Sequence, residues 1–297
     1  MAINSKGDTP LHLAVSCNRL ENVALIVSEE KLQSACSSCL SLKAYNAHGW
    51  TPLHVACKRG FLRIVRYFIE NNVELDTVTS SSSGELTPLM IACQHGHLAI
   101  VRLLIDHGAS VNTIDKKNRC PLTYAVMNGH AHVAAALLKS GANPSAKDMF
   151  GNNLFHYALA YGWFFAYETL LQQTNGNLRE TNMFGLTPLC VAFMKGHIGL
   201  VEDVLRRGLL SVNAPVNDSG VTLCMLAFSL APGESLLRSL KLFVETFRCE
   251  LAKTDYNGNS TVSVWGRGGD GKYFSFGYIF FNSILSFPPL AALLSAV

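Results

Sequence analysis

An all-α repeat solenoid, built from stacked helix pairs joined by tight turns, is the fold class that this sequence predicts. Three observations carry it. A short phrase recurs along the chain, a turn-former and a glycine precede it at fixed distances, and paired apolar stripes at helical spacing follow it.

The phrase reads TPLHLAV from Thr9, TPLHVAC from Thr51, TPLMIAC from Thr87, CPLTYAV from Cys120, NLFHYAL from Asn153, TPLCVAF from Thr187 and TLCMLAF from Thr222. Successive starts lie 42, 36, 33, 33, 34 and 35 residues apart, and a degenerate STVSVW follows 38 residues later at Ser260. Five residues before most starts stands Asn4, Asn46, Asp115, Asp148, Asn182, Asn217 or Asp255, and two before stands Gly7, Gly49, Gly151, Gly185, Gly220 or Gly258. Asx side chains accept local backbone hydrogen bonds and glycine takes positive φ cheaply, so the spacing describes a repeated tight turn. The third unit departs with the serine run Ser80 to Ser83, read as a flexible, modifiable turn, and the fourth puts Asn118 in the glycine's place.

The threonine suits a helix N-cap, and the proline suits the first helical position, where its missing N–H is no loss. In the third unit Leu89, Ala92 and Cys93 form one apolar stripe, Gly96 and His97 break the helix, and Leu98, Val101, Leu104 and Ile105 form the next, closed by Gly108. One helix pair cannot bury its stripe alone. Stacked neighbours make a continuous core, each buried Leu or Ile contributing about 1.5 to 3 kcal/mol.

At these residues the chain resembles the ankyrin-repeat family, whose pattern runs D-x-x-G-x-T-P-L-H-x-A, then G-H, V-x-L-L and G-A. The resemblance covers roughly residues 4–250, about seven repeats and the start of an eighth. The first repeat has Asn18 and Arg19 in place of G-H, and the seventh has Leu223 and Met225 in place of proline and histidine. Residues 1–263 are expected to form the array and 264–297 an atypical, Gly-rich then apolar tail.

Residues with chemical potential are absorbed by this register. His12, His54 and His156 occupy the T-P-L-H position and His97, His130 and His197 the G-H position, where the resemblance implies structural hydrogen bonds; His48, His95, His107 and His132 are left over. The CSSC at Cys36 to Cys39 has zinc-like spacing but no second pair to complete a tetrahedral site. Cys57 and Cys93 share one core position and read as inert thiols. No catalytic constellation recurs, so the expectation is a protein without enzymatic activity, cofactor or metal. Nine cysteines, an odd number, with no apolar segment at the start, favour the reducing cytoplasm or nucleus over secretion. A formal charge of +3 is too mild to point to nucleic acid.

The resemblance implies a non-catalytic scaffold or adaptor that docks a protein or peptide on its turn tips and the outward side of each first helix, and a monomer is expected. The candidate residues are Trp50, Lys58, Arg59, His95, Tyr124, Met127, Met149, Phe150, Tyr157, Tyr161, Met183 and Phe184, with Ile91 also placed outward. Two features stand out: a basic zone of Lys58, Arg59, Arg63 and Arg66, and the tip MFG, which appears twice. In the fifth repeat, Phe164, Tyr167, Leu170 and Leu171 are assigned to the buried stripe, leaving Tyr161 and Phe165 as unexplained aromatics.

The end of the chain is unlike the rest. WGRGG from Trp265 resembles the W-G-R-x-G signature of the WGR domain of some poly(ADP-ribose) polymerases, although only 26 residues follow Gly271. It points to the alternative that the chain is the targeting portion of a larger enzyme or signalling protein. Residues 273–297 are uncharged and apolar; a membrane anchor is the less favoured reading, because Pro288 and Pro289 interrupt any single helix.

Overall fold

The computed structural model describes residues 3–33, 40–174, 177–229, 243, 246–250 and 252–260, in two compact units, Met1–Phe184 and Gly185–Val297. The CSSC, the Gly-rich stretch from Val262 and the apolar tail lie outside the described residues. The described secondary structure is helical, with three isolated β-bridges and no strand.

In the first unit the helices are α1 (Pro10–Ser16), α2 (Leu20–Gln33), α3 (Leu40–Lys43), α4 (Pro52–Arg59), α5 (Leu62–Glu70), α6 (Pro88–Gln94), α7 (Leu98–Asp106), α8 (Pro121–Met127), α9 (Ala131–Lys139), α10 (Leu154–Ala160) and α11 (Phe164–Gln173). They form two layers. Helices α1, α4, α6, α8 and α10 pack in chain order, and α2, α5, α7, α9 and α11 pack in the same order behind them. The core lies between: Leu11, Leu53, Leu89, Leu122 and Leu154 from the first layer and Val65, Val101 and Ala134 from the second are buried. The second unit holds α12 (Pro188–Met194), α13 (Ile198–Arg206) and α14 (Leu223–Ser229), with α12 packed on α13.

The expected caps are present. Thr9, Thr87 and Thr187 sit in extended backbone as N-caps and accept from the N–H three residues on, each followed by proline. At the turns, Asn46 Oδ1 accepts from His48 and Trp50 N–H (3.1 and 3.0 Å), and Asp115 Oδ1 from Lys117 and Arg119 N–H (2.7 and 2.8 Å). Where glycine is missing, another residue takes the left-handed conformation: Asn118 at φ 62° and Glu85 at φ 60° in the turns, and Asn18 at φ 55° between α1 and α2. The serine run forms a short 3₁₀ turn at Ser81–Ser83.

Successive turn tips are joined by backbone bonds. Ala47 N–H donates to Lys6 O (3.1 Å), Ser80 to Gly49 O (2.9 Å), Met149 to Lys117 O (2.9 Å) and Met183 to Phe150 O (2.9 Å). The tips therefore form one continuous edge within the first unit, satisfying N–H and C=O groups that a lone turn would leave to water.

The register misplaces several side chains. Ile91 is fully buried between neighbouring first helices, and Tyr124 is buried at 3% exposure. Phe164 is 42% exposed and Leu171 half-buried, although Tyr167 and Leu170 are in the core. Phe164 opens α11, and the residues that open α5, α7 and α9, Leu62, Leu98 and Ala131, are likewise only half-buried; its ring packs on Tyr167 with 6.3 Å between centres.

Candidate partner-binding surface

Two sets of ring-to-carbonyl bonds, the first buried and the second partly open to solvent, hold the surface in place. His12 Nε2 donates to Trp50 O (2.8 Å), and His54 Nε2 lies 3.0 Å from Thr77 O and 3.1 Å from Leu86 O. Carbonyls only accept, so the proton sits on Nε2, and Nδ1 accepts from Thr9 or Thr51 Oγ1 (2.9 and 2.7 Å). Burial favours the neutral ring and pushes His54 down to about 4, against the two carbonyls, which favour the charged form.

The second set lies at the helix–helix turns. His97 Nε2 donates to Lys58 O and His130 Nε2 to Gln94 O, both at 3.1 Å, each ring covering the glycine of the preceding repeat. Trp163 does the same in the next repeat, its Nε1–H donating to Met127 O (2.9 Å) over Gly129. Sequence reasoning did not assign Trp163 a role, yet the signal was present: Trp163 follows Gly162 as His follows glycine elsewhere.

Tyr124 and Tyr157 are tied down by the tip carboxylates. Tyr124 Oη donates to Asp115 Oδ2 (2.6 Å), Arg119 pairs with the same oxygen (2.7 Å), and the guanidinium lies 4.7 Å from the Tyr124 ring centre. Burial works against the charge on Asp115, but the bonds from Tyr124 and Arg119 outweigh it and hold the carboxyl below its usual range. Burial, and then the bond to Asp115, push Tyr124 up. Tyr157, half-buried, donates to Asp148 Oδ2 (2.5 Å). Tyr124 is thus a tip brace, a correction to its expected place on the open face, and Tyr157 offers only part of its ring.

Other expected residues are open to solvent. Met149 is 49% exposed, Phe150 42%, Met183 76% and Phe184 67%, and the two phenylalanine rings stack 6.2 Å apart. Tyr161 is half exposed at the end of α10, His95 is exposed, and Met127 is half-buried. At the other end of the unit, turn residues and parts of α1 and α4 line an open cleft of about 770 Å³, with Lys6, His48, Trp50, Lys58 and Arg59 among its residues. Arg63 and Arg66, on α5, are exposed but do not line it, which divides the expected basic zone in two.

The two helix layers and the capped tips agree with the family comparison: the model for ankyrin repeats in three copies matches residues 1–79, 31–115 and 78–148. The chain belongs to the ankyrin-repeat family. It is similar to poly [ADP-ribose] polymerase tankyrase of Caenorhabditis elegans, 34% identical over 75% of this chain and 10% of that protein. It is also similar to the B-cell lymphoma 3 protein homolog of Mus musculus, 30% identical over 69% of this chain and 36% of that one, and to NF-kappa-B inhibitor alpha of Rattus norvegicus, 34% identical over 32% and 31%. The chain spans between about a tenth and about a third of the length of these relatives.

Ankyrin repeats act through protein partners, so the exposed tips and first-helix ends are the surface to consider. Within the ankyrin core, Cys57 and Cys93 are buried, and burial pushes both thiols well above their ordinary range. Among the described residues, no group of three His, Cys, Asp or Glu side chains forms a metal cluster, and no helix is long and apolar enough to cross a membrane.

Proposed function

We propose that this chain is a non-catalytic scaffold or adaptor that docks a protein or peptide partner across its ankyrin tips, as a monomer in the cytoplasm or nucleus. The observation that carries the proposal is the pair of apolar tips. Met149, Phe150, Met183 and Phe184 keep between 42% and 76% of their surface in water, though polar residues would serve an ordinary turn. The tips are held rigidly by Asp148 and Asn182, whose Oδ1 atoms accept from Phe150 and Phe184 N–H (2.9 and 3.0 Å). Large apolar groups on a pre-ordered backbone bind at little conformational cost, and such anchors carry most of an interface's energy.

The test is affinity capture from cell extract with the whole chain against a Phe150→Ser, Phe184→Ser double variant. Loss of the captured proteins supports the reading; unchanged recovery removes these tips from it. A second reading is favoured by the match to tankyrase over 75% of this chain: that the array is the targeting part of a longer enzyme or signalling protein. Detection of a longer product containing residues 1–260 supports that reading.

A further inference from the structure

We propose that the cleft at the first three turns takes an acidic, extended peptide segment. This deepens the scaffold reading and rests on it. The cleft's volume of about 770 Å³ is within the range of pockets that enclose a ligand, and its floor is apolar, with Leu13 at 44% exposure beside Val55. Its lining carries three cationic side chains against one carboxylate. Lys6, Lys58 and Arg59 are exposed around it, and none has an ion-pair partner among the described residues.

The one carboxylate in the lining, Asp8, is turned to structural use: its Oδ1 accepts from Asn46 Nδ2 (2.9 Å) and its Oδ2 from Asn4 Nδ2 (3.3 Å). Lys58 Nζ stands 4.6 Å over the Trp50 ring, which fixes that ammonium at the cleft instead of leaving it to sweep through water. Arg59, next along α4, offers a planar fork that matches a carboxylate. The turn edge alongside is already ordered by Ser83 Oγ, which donates to His48 O.

The occupant follows from these charges. A peptide with Glu or Asp side chains meets three cations that have no ion-pair partner among the described residues, around an apolar floor, and an extended backbone follows the row of turns. A nucleic acid fits less well, because one face of Trp50 is taken by Lys58 and the chain as a whole carries only +3.

The experiment is fluorescence anisotropy of the full chain with a labelled decapeptide of Glu, Asp and Leu, run beside its Gln/Asn/Leu and Lys/Leu counterparts and decathymidylate. The acidic peptide is expected to bind tightest, to weaken as salt rises, and to lose about tenfold in affinity with Lys58→Glu plus Arg59→Glu. Lys58→Gln plus Arg59→Gln, which changes no buried group, gives a smaller loss in the same direction and guards against a misfolded variant. Phe150→Ser plus Phe184→Ser leaves decapeptide binding unchanged, so failure of the apolar tips and failure of the cleft are read separately. Equal binding of the neutral peptide, indifference to both cation variants, or tighter binding of decathymidylate overturns the proposal.

Discussion

Replacing His54 by Gln should abolish one component of the protein's sensitivity to acid. His54 is fully buried, and burial lowers it from 6.5 to about 4. Unfolded chains take up the proton near 6.5, whereas the folded chain resists until about 4, so stability is present in full above 6.5 and is lost as pH falls through that window. At about 1.4 kcal/mol per pH unit, the whole window is worth roughly 3 kcal/mol, and roughly 2 kcal/mol of it is gone by about pH 5. The variant loses the ring's bonds to Thr51, Thr77 and Leu86 and is expected to be the less stable protein at neutral pH, by about 1 to 3 kcal/mol. Urea titrations followed by circular dichroism at about pH 7.5 and about pH 5 should then show the gap between the two proteins shrinking by roughly 2 kcal/mol. His12, also lowered by burial, titrates in both proteins and drops out of the difference to first order. A gap of constant size across that range would refute the assignment of a neutral, proton-resisting His54.

Two further outcomes follow from the geometry. A Cβ at Gly60 would stand 2.7 Å from His97 Cε1 at φ +78°, while one at Gly108, φ +91°, meets nothing within 4 Å. Both changes to Ala incur the left-handed penalty of about 1 to 2 kcal/mol, and Gly60→Ala should cost a further 1 kcal/mol or so by displacing the ring from Lys58 O; equal thermal stability of the two variants would count against the ring contact. Tyr124→Phe removes one donor from Asp115 while Arg119 remains, so a loss of about 1 kcal/mol is expected in chemical denaturation, with partner capture unaffected because the hydroxyl is buried.

How much of this was legible in the sequence depends on how local the cause is. Asx side chains bonding N–H groups two and four residues on, and the left-handed residue before each threonine, are short-range effects, so the spacing of Asn46, Gly49 and Thr51 is enough to place the turn. Tyr124 was misread because register assigns it to the same column as Tyr157 but cannot say where its hydroxyl goes; the partner, Asp115, lies nine residues back across the turn. Trp163 was missed because the column was read as histidine, when the structure requires only an N–H donor on a flat ring that can cover a glycine. Phe164 departs from its stripe because it opens its helix, a place where Leu62, Leu98 and Ala131 are also only half-buried; periodicity gives a residue's face and not its nearness to the helix end. The cleft escaped notice because Lys6, Trp50 and Lys58 come from two repeats, and the bonds that engage Asp8 are invisible until Asn4 and Asn46 are seen beside it.

The three ring-to-carbonyl bonds described at the helix–helix turns run one way, from the later repeat back to the earlier. Lys58 O receives its donor from His97, 39 residues later, Gln94 O from His130, 36 later, and Met127 O from Trp163, 36 later. A chain leaving the ribosome N-terminus first therefore finishes α4 with that carbonyl still turned to water, and completes it only when the following repeat has been made. Each repeat thus leaves one polar group whose partner is supplied by the repeat that follows it.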